Sequence, residues 1–194
     1  PLHGVIVSVA ADRLLADDDL LLANKGQMIR QRLNQLMKLL GERFPAYLLV
    51  TKMDLVHGFT DFFRHFPPAQ VEASMGIPNA DPDRPWQEII SQAFTTLQQR
   101  LRLLRQVLAH NVDLQHYPGA IQFPNEFMEL KDPLSHYVKG AFGFDRYLET
   151  PFLRGVYFSS GQRDGKPSSE FLDLIRPSFT PPNSRGVNKV AAND

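Results

Sequence analysis

The sequence contains no cysteine, which excludes a disulfide scaffold, a thiolate metal site and a cysteine nucleophile together. It has no bias of charge either: 21 Lys and Arg residues stand against 21 Asp and Glu residues, for a formal net charge of zero. Nucleic-acid binders normally draw their affinity from clustered positive charge, so no nucleic-acid partner is expected. The same balance argues against a polybasic membrane anchor. Long hydrophobic runs are missing as well. The longest candidates, residues 47–50 and 20–23, fall far short of the roughly 18 apolar residues of a membrane span. No basic region precedes an apolar stretch at the start, as a secretory signal would require. The chain opens on Pro1-Leu2 rather than on Met, and we read it as a piece of a larger polypeptide.

What is present has ordinary globular proportions. A chain with 43% hydrophobic and 22% charged residues is not disordered throughout. Its 194 residues suffice for one domain with a buried core, with room for an elaboration. No internal repeat is visible.

Residues 4–10 (GVIVSVA) are nearly continuous in apolar, β-branched character and suit a strand buried on both faces. Asp17, Asp18 and Asp19 then stand at the mouth of a helix, where acidic groups complement the dipole. Leu22, Ile29, Leu33, Leu36 and Leu40 form its apolar stripe, and Gly41 is the expected stop. A second apolar run, residues 47–50, ends in Thr51-Lys52-Met53-Asp54. Strand, long helix, strand is the pattern of a βαβ crossover in a parallel sheet, so the fold class is α/β.

From Gly58 to about Trp86 the texture changes. Phe59, Phe62, Phe63 and Phe66 alternate with Pro67-Pro68, Pro78, Pro82 and Pro85, a density of breakers that predicts an ordered loop with short helical turns. Residues 87–110 carry the strongest helical signal, with Ile90, Phe94, Leu97, Leu101, Leu104 and Leu108 spaced four, three, four, three and four apart. The run is too short for a coiled coil, so packing onto its own domain is expected. Residues 120–123 read as a short strand, and residues 125–138 as a helix interrupted at Pro133. Residues 153–160 (LRGVYFSS) read as the third clear strand, residues 168–175 as a final short helix, and residues 177–194 as an irregular tail.

The most informative residues are Thr51, Lys52 and Asp54, directly after an apolar strand. A carboxylate there can accept two hydrogen bonds from a base with adjacent N–H donors, as guanine has, while a lysine two residues earlier lays its stem along the base plane. Ligands of open α/β sheets bind outside the carboxyl ends of the strands, where this tetrapeptide falls. A surface loop with a salt-bridged Asp is the alternative.

The stretch LVTKMDL after a GVIV strand, the phenylalanine-rich GFTDFFRHF, the FPNEF segment and above all LRGVYFSSGQRDGKP resemble the cytoplasmic part of the TssM/IcmF family. Members are inner-membrane components of type VI secretion systems, with an IcmF relative in type IVB systems. The resemblance runs from about Pro1 to Lys166. It implies a Ras-like, P-loop NTPase-type parallel sheet with helices and a helical extension over about residues 58–150. The C-terminal part of such a domain would fill residues 1–176 and the tail would follow at 177–194. By the same resemblance Thr51, Lys52 and Asp54 match the base-recognition motif, with Thr51 where many GTPases have Asn, and Ser159, Ser160 and Gly161 match the later base-contacting loop. GTP or ATP would then be the cofactor of the complete protein. The partners implied are other secretion-system subunits, a TssL/DotU-like membrane protein and baseplate components. The implied location is the cytoplasmic side of a Gram-negative inner membrane, tethered by helices outside this chain.

The sequence departs from such a site in one respect. A phosphate site needs a Gly-x-x-x-x-Gly-Lys-Ser/Thr loop, and the nearest match, from Gly161 to Pro167, has three intervening residues and a proline in place of the hydroxyl. No Asp-x-x-Gly magnesium motif precedes Thr51. The P-loop half is therefore missing: this stretch holds a base pocket at most, binds no nucleotide by itself and has no catalytic residues. Two roles remain open, a structural and interaction domain with a partial nucleotide site, and a nucleotide-operated switch. For the first, the aromatic segment Phe59 to Phe66 and the polar face of the 87–110 helix are candidate surfaces, the phenylalanines otherwise capping the sheet. His110, Asp113 and His116 lack a scaffold for a metal; Arg100, Arg102 and Arg105 read as a solvated face; and no Gly-x-Ser-x-Gly elbow supports a serine hydrolase.

Overall fold

Alternation of apolar residues sets the first strand, β1 (Val5–Ala10), with Val7 buried in the core. The computed structural model describes residues 3–66, 75–111, 116–144 and 151–161. Among them β1 is an outermost strand, and its other face is open: Ile6 is 41% exposed and Ser8 is exposed. The expected burial on both faces is thus corrected: one face of β1, with Val5, Val7 and Val9, packs on the core, and the other does not.

A short helix α1 (Ala11–Ala16) follows directly, then the long α2 (Asp19–Leu40). The Asp18 carboxylate caps α2 by accepting the Leu21 N–H at 2.8 Å, and Gly41 closes it in the left-handed conformation, φ 69°. The first part of the expected stripe holds and its end does not. Leu22, Leu33 and the partly buried Ile29 face inward, joined by Gly26 and Met37, while Leu36 and Leu40 are exposed. The reason lies in the partner helix. Gly26 meets Gly140 of α6 (Lys131–Phe142), and a Cβ on Gly26 would land on the Tyr137 carbonyl oxygen, one on Gly140 on the Ala23 carbonyl oxygen. Backbone-to-backbone approach rotates α2 so that its glycine, not its leucine ladder, faces α6.

Strand β2 (Pro45–Thr51) buries Ala46, Leu48 and Val50 completely. It leads into a 3-10 turn (Met53–Leu55) and the short helix α3 (Phe59–Phe63). The phenylalanines here are packing residues: Phe62 is fully buried, and the rings of Phe59, Phe62 and Phe63 stand 5.4, 5.2 and 5.6 Å from that of Phe123. They line no exposed docking surface. Gly58 makes the contact close, since its φ is 79° and a Cβ there would strike the Gly119 carbonyl.

The helix α4 (Trp86–Asn111) buries Ile90, Phe94, Leu97, Leu101 and Leu108, the expected stripe, with Leu104 partly buried. Its partners belong to the same domain: the Phe94 ring lies 5.6 Å from Phe158 and 5.0 Å from Phe127. Residues 120–123 are helical rather than extended, inside α5 (Pro118–Glu126), because Ala120 and Phe123, one turn apart, are the buried pair. The chain then passes through a 3-10 turn (Phe127–Leu130) into α6. Pro133 interrupts nothing, since it sits in the first turn of α6, where no N–H is needed.

Strand β4 (Phe152–Phe158) completes the parallel part of the sheet. The order is β1-β2-β4-β3, with β1, β2 and β4 parallel and β3 (Met75–Pro78) antiparallel to β4. The fold is α/β, but the sheet is mixed, and β3 arises inside the stretch expected to be loop. Four residues including a glycine and a proline give no periodic signal. Gly76 is required there because the Tyr157 ring occupies the place of its Cβ. The segments expected as a final helix (168–175) and tail (177–194) lie outside the described residues, as does the Gly161–Pro167 loop beyond Gly161.

Three outcomes are expected. Gly26→Ala forces α2 and α6 apart and lowers stability by about 1–3 kcal/mol in urea unfolding, whereas Gln31→Ala on the exposed side of α2 stays within about 0.5 kcal/mol. Burial pushes the Tyr137 hydroxyl up to about 12, and burial, then the neighbouring Tyr47, also raises Tyr157 against the opposing effect of Arg154. The folded protein therefore holds these protons more tightly than the unfolded chain. That contribution is intact below about pH 10 and is lost as pH rises toward 12. Stability measured by denaturant titration at successive pH values should fall across this window, and fall less in Tyr137→Phe. Finally, the free edge of β1 invites pairing: sedimentation at high protein concentration should detect self-association that Ile6→Lys suppresses, and strict monomers would mean that another segment covers the edge.

Candidate functional site

Three parallel strands end at the same rim of the sheet, and their carboxyl ends carry the residues singled out in the sequence. Register pairs Ala10 with Thr51, and Val50 with Phe158, so the loops that follow β2 and β4 emerge side by side. Two backbone hydrogen bonds join them. The Ser159 N–H donates to the Val50 carbonyl at 2.8 Å, and the Met53 N–H to the Ser159 carbonyl at 3.1 Å. Met53 is fully buried beneath this junction, which anchors the loop from below.

The turn itself is made at Lys52, the one non-glycine residue with positive φ among those described, at 57°. A side chain in that conformation is disfavoured by about 1–2 kcal/mol, and it reverses the chain sharply enough to start the 3-10 turn. The Leu55 N–H closes the turn on the Lys52 carbonyl at 3.1 Å. Asp54 is thereby brought back toward the β4 loop, where the Ser160 hydroxyl donates to its Oδ1 at 2.6 Å. A carboxylate has about four acceptor positions, so one hydroxyl leaves capacity for further donors. Thr51 points its hydroxyl back at the neighbouring strand, donating to the Val9 carbonyl at 3.4 Å. Gly161 is exposed, with open space where a Cβ would stand.

All six residues, Thr51, Lys52, Asp54, Ser159, Ser160 and Gly161, are thus gathered on one rim, although about a hundred residues separate the two loops. One neighbour escaped sequence reasoning. Asp12, two residues past the end of β1, approaches Lys52 with Oδ2 to Nζ at 3.6 Å. The available signal was positional: a carboxylate just beyond a parallel strand shares the rim with every other strand end.

The other candidates do not converge. No group of three or more metal-ligating side chains occurs among the described residues, and Asp113 lies outside them. Arg105 donates to the Ile121 carbonyl at 3.2 Å, a tie between α4 and α5 rather than a free cation. A groove between β1 and α2, lined by Ser8, Val9, Lys25 and Met28, contains none of the six rim residues. No described helix is long and apolar enough to cross a membrane.

The profile of the IcmF-related N-terminal domain matches residues 1–191. The chain belongs to this IcmF-related family. It is 34% identical over 185 residues to the protein named type VI secretion system component TssM1 of Pseudomonas aeruginosa. The aligned part is 92% of this chain and 17% of that relative, so the chain spans about a sixth of its length. No solved structure matches. The expected TssM/IcmF membership is therefore shown, and the α/β class with it, through the mixed four-stranded sheet.

Proposed function

We propose that this IcmF-related region is a structural and interaction domain of a type VI secretion membrane complex, carrying part of a nucleotide base site. The secretion role rests on the 34% identity to TssM1 across nearly the whole chain. By that kinship its partners are other secretion-system subunits, a TssL/DotU-like membrane protein and baseplate components among them. Its location is the cytoplasmic side of the inner membrane, with the tether elsewhere in the polypeptide. The observation that carries the base site is the Ser160–Asp54 hydrogen bond at the carboxyl ends of β2 and β4. A bonded serine fixes the rotamer of the carboxylate without consuming it, the preorganisation that a base reader needs.

A Ras-like arrangement gives this geometry its meaning. Asp54 accepts the paired N–H donors of a base, Lys52 supplies a stem for its face, and the Ser159–Gly161 loop approaches its edge. The phosphate machinery belongs to other parts of the polypeptide, so this region alone has no hydrolytic chemistry. The alternative role, a GTP- or ATP-operated switch that governs assembly, is favoured by the left-handed turn at Lys52, since strain of this kind is retained where surrounding structure holds it for use.

Fluorescent GDP and ADP titrated into the full-length protein separate the two roles. Binding of GDP that weakens by about tenfold or more in Asp54→Ala, the loss expected for a charge-assisted hydrogen-bond pair, makes Asp54 the base reader and supports the switch. Absence of binding by either nucleotide at near-millimolar concentration removes the nucleotide site and leaves the structural role.

A further inference from the structure

We propose that Asp12 is a positioning residue of this rim: its carboxylate holds the Lys52 ammonium so that the lysine stem lies across the mouth of the candidate base site. The nucleotide side of this inference rests on the base-site function proposed above; the pairing itself does not.

Three observations converge on it. Asp12 Oδ2 stands 3.6 Å from Lys52 Nζ. The other oxygen, Oδ1, is shut off from solvent and accepts no hydrogen bond from the described residues. A shielded carboxylate oxygen without a donor is costly and uncommon in folded proteins, and a cation beside the same carboxylate offsets part of that cost; Lys52 is such a cation, at Oδ2. Lys52, in turn, adopts the left-handed backbone that L-residues avoid. The two unfavourable features meet in one ion pair, at the place where β1, β2 and β4 end.

An ordinary surface ion pair would show neither feature. Exposed pairs contribute little, and nothing in such a pair requires an occluded oxygen or an unusual backbone. Here the Lys52 side chain is about half exposed and that of Asp12 a third exposed. The ammonium is therefore held at the surface while the buried end of the pair is the carboxylate. The rim carries two carboxylates near this turn, Asp12 on α1 and Asp54 in the 3-10 turn after Lys52. Asp54 Oδ1 accepts the Ser160 hydroxyl, and the carboxylate with which Lys52 pairs is that of Asp12. The consequence is a division of labour between two acids: Asp54 is kept for the ligand, and Asp12 takes the counter-charge that would otherwise compete for it.

Two measurements on the full-length protein test this. In the first, the rate of Lys52 acylation by a small active ester is followed by peptide mass spectrometry, with Lys38 of α2 as internal reference. Asp12→Asn should raise the Lys52 rate severalfold and leave Lys38 unchanged, and Asp12→Glu should restore most of the protection. Equal Lys52 rates in wild type and Asp12→Asn overturn the proposal. In the second, fluorescent GDP and ADP are titrated into wild type, Asp12→Asn, Lys52→Gln and the double variant. Asp12→Asn should weaken the better-bound nucleotide by about fivefold in the presence of Lys52 and leave it unchanged in Lys52→Gln. Independent, additive losses overturn the claim that Asp12 acts through Lys52. Should wild type bind neither nucleotide, the base-site function falls, and the acylation result alone upholds or overturns the positioning of Lys52 by Asp12.

Discussion

Strand β4 has to lie beside β2, although Val50 and its register partner Phe158 are separated by more than a hundred residues of intervening chain. Closing a loop of that length costs conformational entropy that the pairing itself does not offset, though the cost grows only slowly with length. The intervening helices make the closure favourable. α3, α4, α5 and α6 bury an aromatic and aliphatic core whose rings reach from Phe62 through Phe123 and Phe127 to Phe158 on the sheet. The junction of the loops after β2 and β4 depends on this closure. The Ser159 to Val50 and Met53 to Ser159 hydrogen bonds, and the Ser160 to Asp54 contact, exist only while β4 is docked.

The helical insertion is tied to the sheet at two glycine contacts of different kinds. At Gly58 and Gly119 the start of α3 touches the start of α5, so the segment immediately after the 3-10 turn is fixed in position. At Gly26 and Gly140 the helix that follows β1 touches the helix that precedes β4. The first contact secures the loop after β2 and the second couples the β1–β2 crossover to the insertion. Together they mean that the α1 side of the rim, with Asp12, and the β2–β4 side, with Asp54, are braced by the same group of helices. A rim assembled from three separate loops can hold its geometry only with bracing of this sort.

Much of this was legible in the amino-acid order, and the failures share a cause. β1, β2, β4 and α4 each carry a run long enough for periodicity to show, and the stop at Gly41 and the cap at Asp18 are local chemistry with local signals. The end of the α2 stripe was misread because five leucines and isoleucines outweigh one glycine on a hydropathy pattern, whereas the actual constraint is backbone approach at Gly26. Residues 120–123 looked like a strand because one helical turn is too short to display a 3.6-residue period, and their identity is decided by what Phe123 packs on. β3 is set by its partner: Met75, Gly76 and Ile77 are extended because Phe158, Tyr157 and Val156 offer an edge. Thr51, Lys52 and Asp54 were legible because they follow an apolar strand, whereas Ser159, Ser160 and Gly161 came only from the family resemblance. Asp12 was not, since its significance comes from the neighbour across the rim rather than from its own surroundings in sequence.

The base site proposed for this rim is a partial one. Recognition of a base needs a fixed acceptor and a flat apolar support, both of which side chains on strand ends provide. Neutralising phosphates needs consecutive backbone N–H groups at a helix start together with a cation, and the sequence has no loop of that type. Lys52, the lysine at this rim, pairs with Asp12 at 3.6 Å. On the proposed base site, acids arranged as acceptors beside a paired lysine favour a donor-rich planar group over an anion. Charge at a strand end is therefore a better guide to ligand class here than the α/β fold itself, which many unrelated sites share.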